Sequence, residues 1–179
     1  MAATMSGSTA ELNSTQRPVI TVHCPVDGRQ VGEVRDVGAD DVAAVCADLR
    51  RAQPAWESLG PKGRSAHLRR WLDWLLDNEQ RLLTLVQQET GKSWADASME
   101  MAVVVEVINY FTANAERFLA DRRVKPAGVA NLARRLRVQV RPHQLVGLIT
   151  PWNGPLAGPM MDVVGALVAG GAVVSKPSE

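Results

Sequence analysis

The sequence predicts an α/β chain, in which a β hairpin and long helices lead into the start of a doubly wound parallel sheet. Three observations carry this. Leu145-Val146-Gly147-Leu148-Ile149 and Ala172-Val173-Val174 are short, continuous apolar runs, as expected of strands covered on both faces. A helical stretch ending near Ala169 and a Gly170-Gly171 turn join them into a βαβ unit. Upstream, apolar residues recur at i, i+3, i+4 and i+7, the stripe of an amphipathic helix.

Composition agrees with one ordinary globular unit. The 179 residues are 46% hydrophobic and 22% charged, with 20 basic against 19 acidic side chains for a net charge of +1. Such a balance gives no global field toward nucleic acid or anionic lipid, and the core is large enough to need no staples. Cys24 and Cys46 are too few for a disulfide framework. His23, His67 and His143 lack ligand spacing, so no metal is expected. Residues 1–17 are small and polar and read as a flexible tail. Their opening Met1–Ser8 has neither basic nor apolar signal-peptide regions, and the expected compartment is the cytoplasm. Asn13-Ser14-Thr15 fits a glycosylation sequon by chance.

The elements follow in order. Val19–Val22 and Gln30–Val34 flank Asp27-Gly28, the chemistry of a hairpin turn. From Asp40, Val42, Val45, Cys46 and Leu49 mark a first helix with Pro54 near its end. Pro61 suits the first turn of a second helix. Its face runs through Leu68, Trp71, Leu72, Leu75 and Leu76 and continues past Asp77-Asn78 to Val86, with Gly91 at its C-terminus. A third helix is predicted from Trp94 to Leu119, although Val103-Val104-Val105 argue locally for strand. Residues 124–131 read as a connector. Arg135–Arg141 alternates with period two, a strand with one wet face. The chain thus divides into a hairpin and helical part over 18–132, a β arm over 133–143 and a βαβ unit over 144–179.

Two parallel strands joined by a crossover present their carboxyl ends at one sheet edge, where ligands bind in open α/β sheets. That edge receives Thr150-Pro151-Trp152-Asn153 after the first strand and Lys176-Pro177-Ser178-Glu179 after the second. By position Glu179 fits a ribose contact and Lys176 a phosphate contact, so the pattern suggests a nucleotide site. The Gly-x-Gly-x-x-Gly loop is absent, and Gly91-Lys92-Ser93 has Val86 where a P-loop needs glycine. A pyrophosphate would therefore be held by some other segment.

Val146–Asn153, with its Pro-Trp-Asn loop, and the closing Lys-Pro-Ser-Glu resemble the N-terminal half of the NAD(P)-dependent aldehyde dehydrogenases. The order of upstream elements, including Ala55-Trp56 and Glu89-Thr90-Gly91-Lys92, is also similar over residues 18–179. The resemblance implies a partial aldehyde dehydrogenase fold with a Rossmann-like cofactor domain. It implies aldehyde oxidation to a carboxylic acid with NAD or NADP: a thiolate attacks the aldehyde, hydride leaves to the nicotinamide, and a glutamate activates the water that releases the acid. In that scheme Asn153 donates to the oxyanion. Lys176 and Glu179 hold the adenosine ribose, Ser178 joins Lys176 at the same rim, and Thr150, Pro151 and Trp152 line the cofactor cleft. Glu179 favours NAD, whereas Lys176 with Ser178 suits a 2′-phosphate. Asn109-Tyr110-Phe111 through Glu116 resembles the succinate-semialdehyde branch, and the 133–143 arm is of the oligomerisation type.

Gly154 stands where the family commonly has an aromatic, Gly171 where it has Asn, and Ser175 where it has Leu. The nucleophilic cysteine and glutamate base lie further along in relatives, so the chain as given is expected to be inactive alone. An interaction module pairing with a full-length paralogue is the alternative, and a basic-patch nucleic-acid binder the second. Plainer readings stand beside each residue: Asn153 as an N-cap of the next helix, Lys176 and Glu179 as solvated turn residues, Cys46 as a core thiol, and Trp71 with Trp74 as packing. Cys24 carries no activating pattern. The eight basic residues against one acid over Arg117–Arg141 read as a solvated face. Leu156–Val174 reads as a buried crossover and not a membrane span, because Asp162, Pro159 and four glycines interrupt it. The Val173 strand is expected at an exposed edge.

Overall fold

The computed structural model describes residues 18–131 and 133–178. The tail assigned to 1–17, its sequon and Glu179 lie outside the described residues. Strands β1 (Val19–His23) and β2 (Gln30–Arg35) form the expected antiparallel hairpin, with Val19 opposite Arg35. At the turn, Asp27 accepts from the backbone N–H of Arg29 at 3.1 Å and from its Nε at 3.0 Å, while Gly28 takes φ +70°. The Arg29 backbone bond is the chief reason the Asp27 carboxyl titrates below its ordinary value.

Helix α1 runs Ala39–Ser58 with Pro54 inside it, α2 Gly60–Asp77, α3 Glu79–Thr90, and α4 Trp94–Leu119. The continuous second helix expected from the sequence is two helices. At Asn78 the backbone leaves helical geometry (φ −107°, ψ 12°), and its Nδ2 caps the Trp74 carbonyl at 2.8 Å. Gly91 closes α3 in the left-handed conformation at φ +71°, as its position predicts. Helix α4 has the predicted bounds: Ala97, Met101, Val104, Ile108 and Ala115 are buried along one face, so burial outweighs the β-branched run. They form the core with Leu68, Leu72 and Leu75 of α2 and Leu83 and Val86 of α3. Trp71 packs on that core, whereas Trp74 is exposed. The first helix departs from its reading: Val42 and Val45 are exposed and Cys46 only half-buried, because the described residues cover that stripe only in part.

Strand β3 (Arg122–Val124), unforeseen in the sequence, pairs antiparallel with β4 (Leu136–Val138). The register sets Arg122 against Val138, Arg123 against Arg137 and Val124 against Leu136, so one face carries Val124, Leu136 and Val138 beside Arg122 and the other carries Arg123 and Arg137. One wet face was expected, yet both faces are exposed, because the two strands pair chiefly with each other.

Strand β5 (Leu145–Ile149), helix α5 (Ala157–Ala169) and strand β6 (Ala172–Lys176) make the βαβ unit, with β5 and β6 parallel. The strands are less covered than expected. Helices α1 and α5 pack against the pair, but Ile149 is 85% exposed, since two strands and two helices leave the carboxyl end of β5 open. The apolar stretch after Leu156 is a 13-residue helix and a strand, and among the described residues no helix is long and apolar enough to cross a membrane.

The C-terminus of α5 is held by side chains from α1 and α2. Gln53 Nε2 donates to Gly170 O at 2.8 Å, Trp56 Nε1 to Leu167 O at 2.9 Å, and Arg64 Nε to Val168 O at 2.9 Å. Carbonyls at the end of the helix, where backbone partners run out, thereby gain side-chain donors, and the βαβ unit is fastened to the helical layer.

Candidate functional site

The parallel register places Leu145 opposite Ala172 and Ile149 opposite Lys176. One further bond, from the Thr150 N–H to the Lys176 carbonyl at 3.1 Å, carries the pairing just past β5. Both strands therefore end together. The Thr150–Asn153 loop and Lys176–Ser178 leave from the same edge, as the crossover predicts. Thr150 is buried in the pairing, whereas Pro151, Trp152, Asn153, Lys176, Pro177 and Ser178 are exposed. Lys176 Nζ bonds the Pro177 carbonyl at 3.3 Å.

Asn153 is not the cap of the following helix. Helix α5 starts four residues later, at Ala157, with Leu156 in the cap position and no side-chain cap of its own. The capping is done from α4. Glu100, 6% exposed, accepts the N–H of Leu156 at 2.9 Å and of Ala157 at 3.0 Å on Oε2. A carboxylate there meets both the orphan donors and the positive end of the helix dipole. Its other oxygen accepts from Lys92 Nζ, and the same ammonium donates to the Asn153 carbonyl at 2.6 Å. Among the described residues the Asn153 side-chain amide has no protein partner, so it faces solvent with its backbone fastened.

The turn that presents Lys92 is itself fixed. Its N–H donates to Thr90 Oγ1 at 3.2 Å, and its carbonyl accepts from Gln87 Nε2 at 3.2 Å. Ser93 caps α4 by accepting the Asp96 N–H at 3.1 Å. Lys92, Asp96, Met99, Glu100, Val103 and Ala157 line an open cleft of about 380 Å³ between the N-terminal turns of α4 and the start of α5. Burial raises the Glu89 carboxyl above its ordinary value on α3.

Sequence reasoning missed Lys92 and Glu100 as site residues, using Glu89-Thr90-Gly91-Lys92 only as a mark of resemblance and weighing Gly91-Lys92-Ser93 only as a phosphate loop. A signal existed: Glu100 falls at helical spacing with Ala97, Met101 and Val104, and an acid on a buried face needs a partner. The two cysteines are free. Cys24 is 2% exposed beneath Gly91, where Sγ lies 3.7 Å from a Cβ built on that glycine. No group of three or more His, Cys, Asp or Glu that would hold a metal occurs among the described residues.

Comparison with known proteins bears on the same segment. The chain is 35% identical over 168 residues to the mitochondrial succinate-semialdehyde dehydrogenase of Arabidopsis thaliana, covering 94% of this chain and 31% of that protein. It is 32% identical over 167 residues to the NADP-dependent succinate-semialdehyde dehydrogenase GabD of Escherichia coli K12, covering 93% and 34%. The crystal structure of a succinate-semialdehyde dehydrogenase from Burkholderia pseudomallei superposes with a TM-score of 0.83 at 33% identity, covering 90% of this chain and 33% of that one. The chain thus spans about a third of the length of these relatives. The partial fold is theirs. The sequence profile of the aldehyde dehydrogenase family matches residues 12–179, and the chain belongs to that family.

Proposed function

We propose that this chain carries the oxyanion-donor loop and the adenosine-side rim of an NAD(P)-dependent aldehyde oxidation. The observation that carries the reading is the β5–β6 register, which brings the Asn153 loop and Lys176–Ser178 to one sheet edge. Asn153 contributes a side-chain amide to the oxyanion formed at the aldehyde carbon, a contribution of about 3 kcal/mol where such donors are removed. Lys176 and Ser178 hold the adenosine ribose or its 2′-phosphate, with Thr150, Pro151 and Trp152 lining the cleft beside them. The donor set fits: an exposed cation ends β6, an exposed hydroxyl follows it, and an exposed indole follows β5. NAD or NADP supplies the hydride acceptor when bound. The relatives' names make succinate semialdehyde the first aldehyde to test.

Neither cysteine stands on this rim. Cys24 is buried behind the hairpin and Cys46 lies on α1, so the thiol attack belongs to neither. By itself the chain reduces no cofactor. Two titrations test the reading. Energy transfer from tryptophan to NADH or NADPH should show weak, saturable binding that falls tenfold or more in Lys176→Met. Absorbance at the NADH band should not rise when NAD(P)⁺ and succinate semialdehyde are mixed with the purified chain. Failure of both dinucleotides to bind would overturn the cofactor assignment, and aldehyde-dependent reduction would overturn the exclusion of both thiols.

The β3–β4 ribbon supports a second contact, with another copy of the chain or a full-length paralogue. Val124, Leu136 and Val138 are exposed on one face beside Arg122, with Arg123 and Arg137 on the other. Sedimentation of the chain should show association that Leu136→Asp abolishes. Two free thiols accord with a reducing compartment such as the cytoplasm. The basic face carries no row of stacking aromatics, which disfavours single-stranded nucleic acid.

A further inference from the structure

We infer that Lys92 and Glu100 are positioning residues for Asn153. The inference rests on the reading of Asn153 as the oxyanion donor. Three otherwise separate elements meet at one ammonium: the α3–α4 turn supplies Lys92, the second turn of α4 supplies Glu100, and the loop after β5 supplies the Asn153 carbonyl. The sequence separations, 61 residues from Lys92 to Asn153 and 56 from Glu100 to Leu156, make this a tertiary clamp and not a local turn.

Its two halves act on the two ends of one short segment. Glu100 fixes Leu156 and Ala157 through their N–H groups. Lys92 fixes Asn153 through its carbonyl. Between them lie only Gly154 and Pro155. The Gly154 carbonyl is tied forward to the Gly158 N–H at 2.8 Å. Pro155 has φ set by its ring. With both ends pinned, the backbone torsions that aim the Asn153 side chain have little freedom left. Oxyanion stabilisation is steeply geometric, because a donor must sit about 2.7–3.1 Å from the oxygen as it forms. A loop that wanders by an ångström forfeits much of that.

Charge explains why the clamp is a Lys–Glu pair and not two neutral groups. Glu100 is buried and already accepts two backbone N–H groups, so its charge is stabilised by the α5 dipole and by Lys92 together. The Lys92 ammonium has three donors, of which the carboxylate takes one and the Asn153 carbonyl another. A methionine keeps the aliphatic stem and removes both bonds. An arginine keeps the charge and donors.

Backbone ¹⁵N relaxation of the full 179-residue chain tests the clamp. In the native chain the amides of Asn153 and Gly154 should be ordered, with S² near about 0.85, and Lys92→Met should lower them below about 0.6. Core amides at Val104 and Ile108 should not change, and Lys92→Arg should restore the loop. A purely structural role would instead lower Tm and leave the order of the folded loop untouched; that result would overturn the inference. Should Lys92→Met fail to fold, Glu100→Gln, which keeps an acceptor for Leu156 and Ala157, is expected to loosen Asn153 likewise. The dinucleotide titration above reports on the functional reading separately, so failure of that reading and failure of the clamp are distinguishable.

Discussion

The guanidinium of Arg64 in α2 donates to the carbonyl of Val168 in α5 at 2.9 Å, across 104 residues of sequence. Arg64 is 3% exposed, and its other nitrogens reach Glu57 O at 2.7 Å and Ala169 O at 3.5 Å. Burial lowers the pKa of this guanidinium, yet arginine stays charged throughout the working range. Arg64→Met should therefore strand buried carbonyls at the negative end of α5 and cost about 3 kcal/mol. Arg64→Lys should recover only part of that, since an ammonium does not reproduce the planar fork. Urea unfolding of the three chains checks both values.

Gly171 sits where packing leaves no room for a side chain. A Cβ on Gly171 would lie 2.7 Å from the His143 carbonyl oxygen, a backbone atom at the entry to β5. The neighbouring bond from Ala172 N–H to Gln144 O at 3.1 Å ties the two segments together. Gly171→Ala and Gly171→Asn should each cost about 1–3 kcal/mol by overpacking. Thermal melts of both variants test this.

Much of the fold was legible because it is written in local patterns. The hairpin follows from Asp27-Gly28, the α3 terminus from Gly91, and α4 from the length of its segment and its Ala, Met and Glu content. The parallel β5–β6 pair follows from two apolar runs and the Gly-Gly turn. What escaped reading depends on distant partners. Arg122–Val124 is three residues long, two of them basic, and becomes a strand only because Leu136–Val138 lies beside it. Val42, Val45 and Cys46 have a helical stripe, but a stripe does not say whether anything covers it. The site divided the same way. The Pro-Trp-Asn and Lys-Pro-Ser segments stand out as motifs. Lys92 and Glu100 acquire meaning only when the crossover brings Asn153 and α5 to them.

Glu89 gives a pH test. Burial raises its folded-state pKa, so the fold favours the neutral carboxyl and the charged form lowers stability. The stability this group allows is complete below its ordinary value of 4.5 and is lost as pH rises through the folded value. Glu89→Gln should therefore stabilise the chain slightly at pH 7, and the gain should shrink to nothing below about pH 4.5. Half-exposure keeps the effect small. Melting curves across this range, with the variant and native chain converging in acid, give the expected result; a gain that grows in acid contradicts it.

Gly154 is the counterpart to Gly171. Nothing in the backbone here forbids a side chain: φ is not positive, and a Cβ would meet only the Gly158 nitrogen at an ordinary 3.7 Å. The glycine thus costs unfolded-state entropy without a conformational return at this position. Gly154→Ala should raise stability by about 0.4–1 kcal/mol, because the unfolded chain loses freedom that the folded chain does not use. It should also leave the Lys92 bond to Asn153 intact, so the order of the loop should hold or increase. The same substitution, one residue type for another, is then stabilising at Gly154 and destabilising at Gly171, and paired denaturation curves read both signs in one experiment.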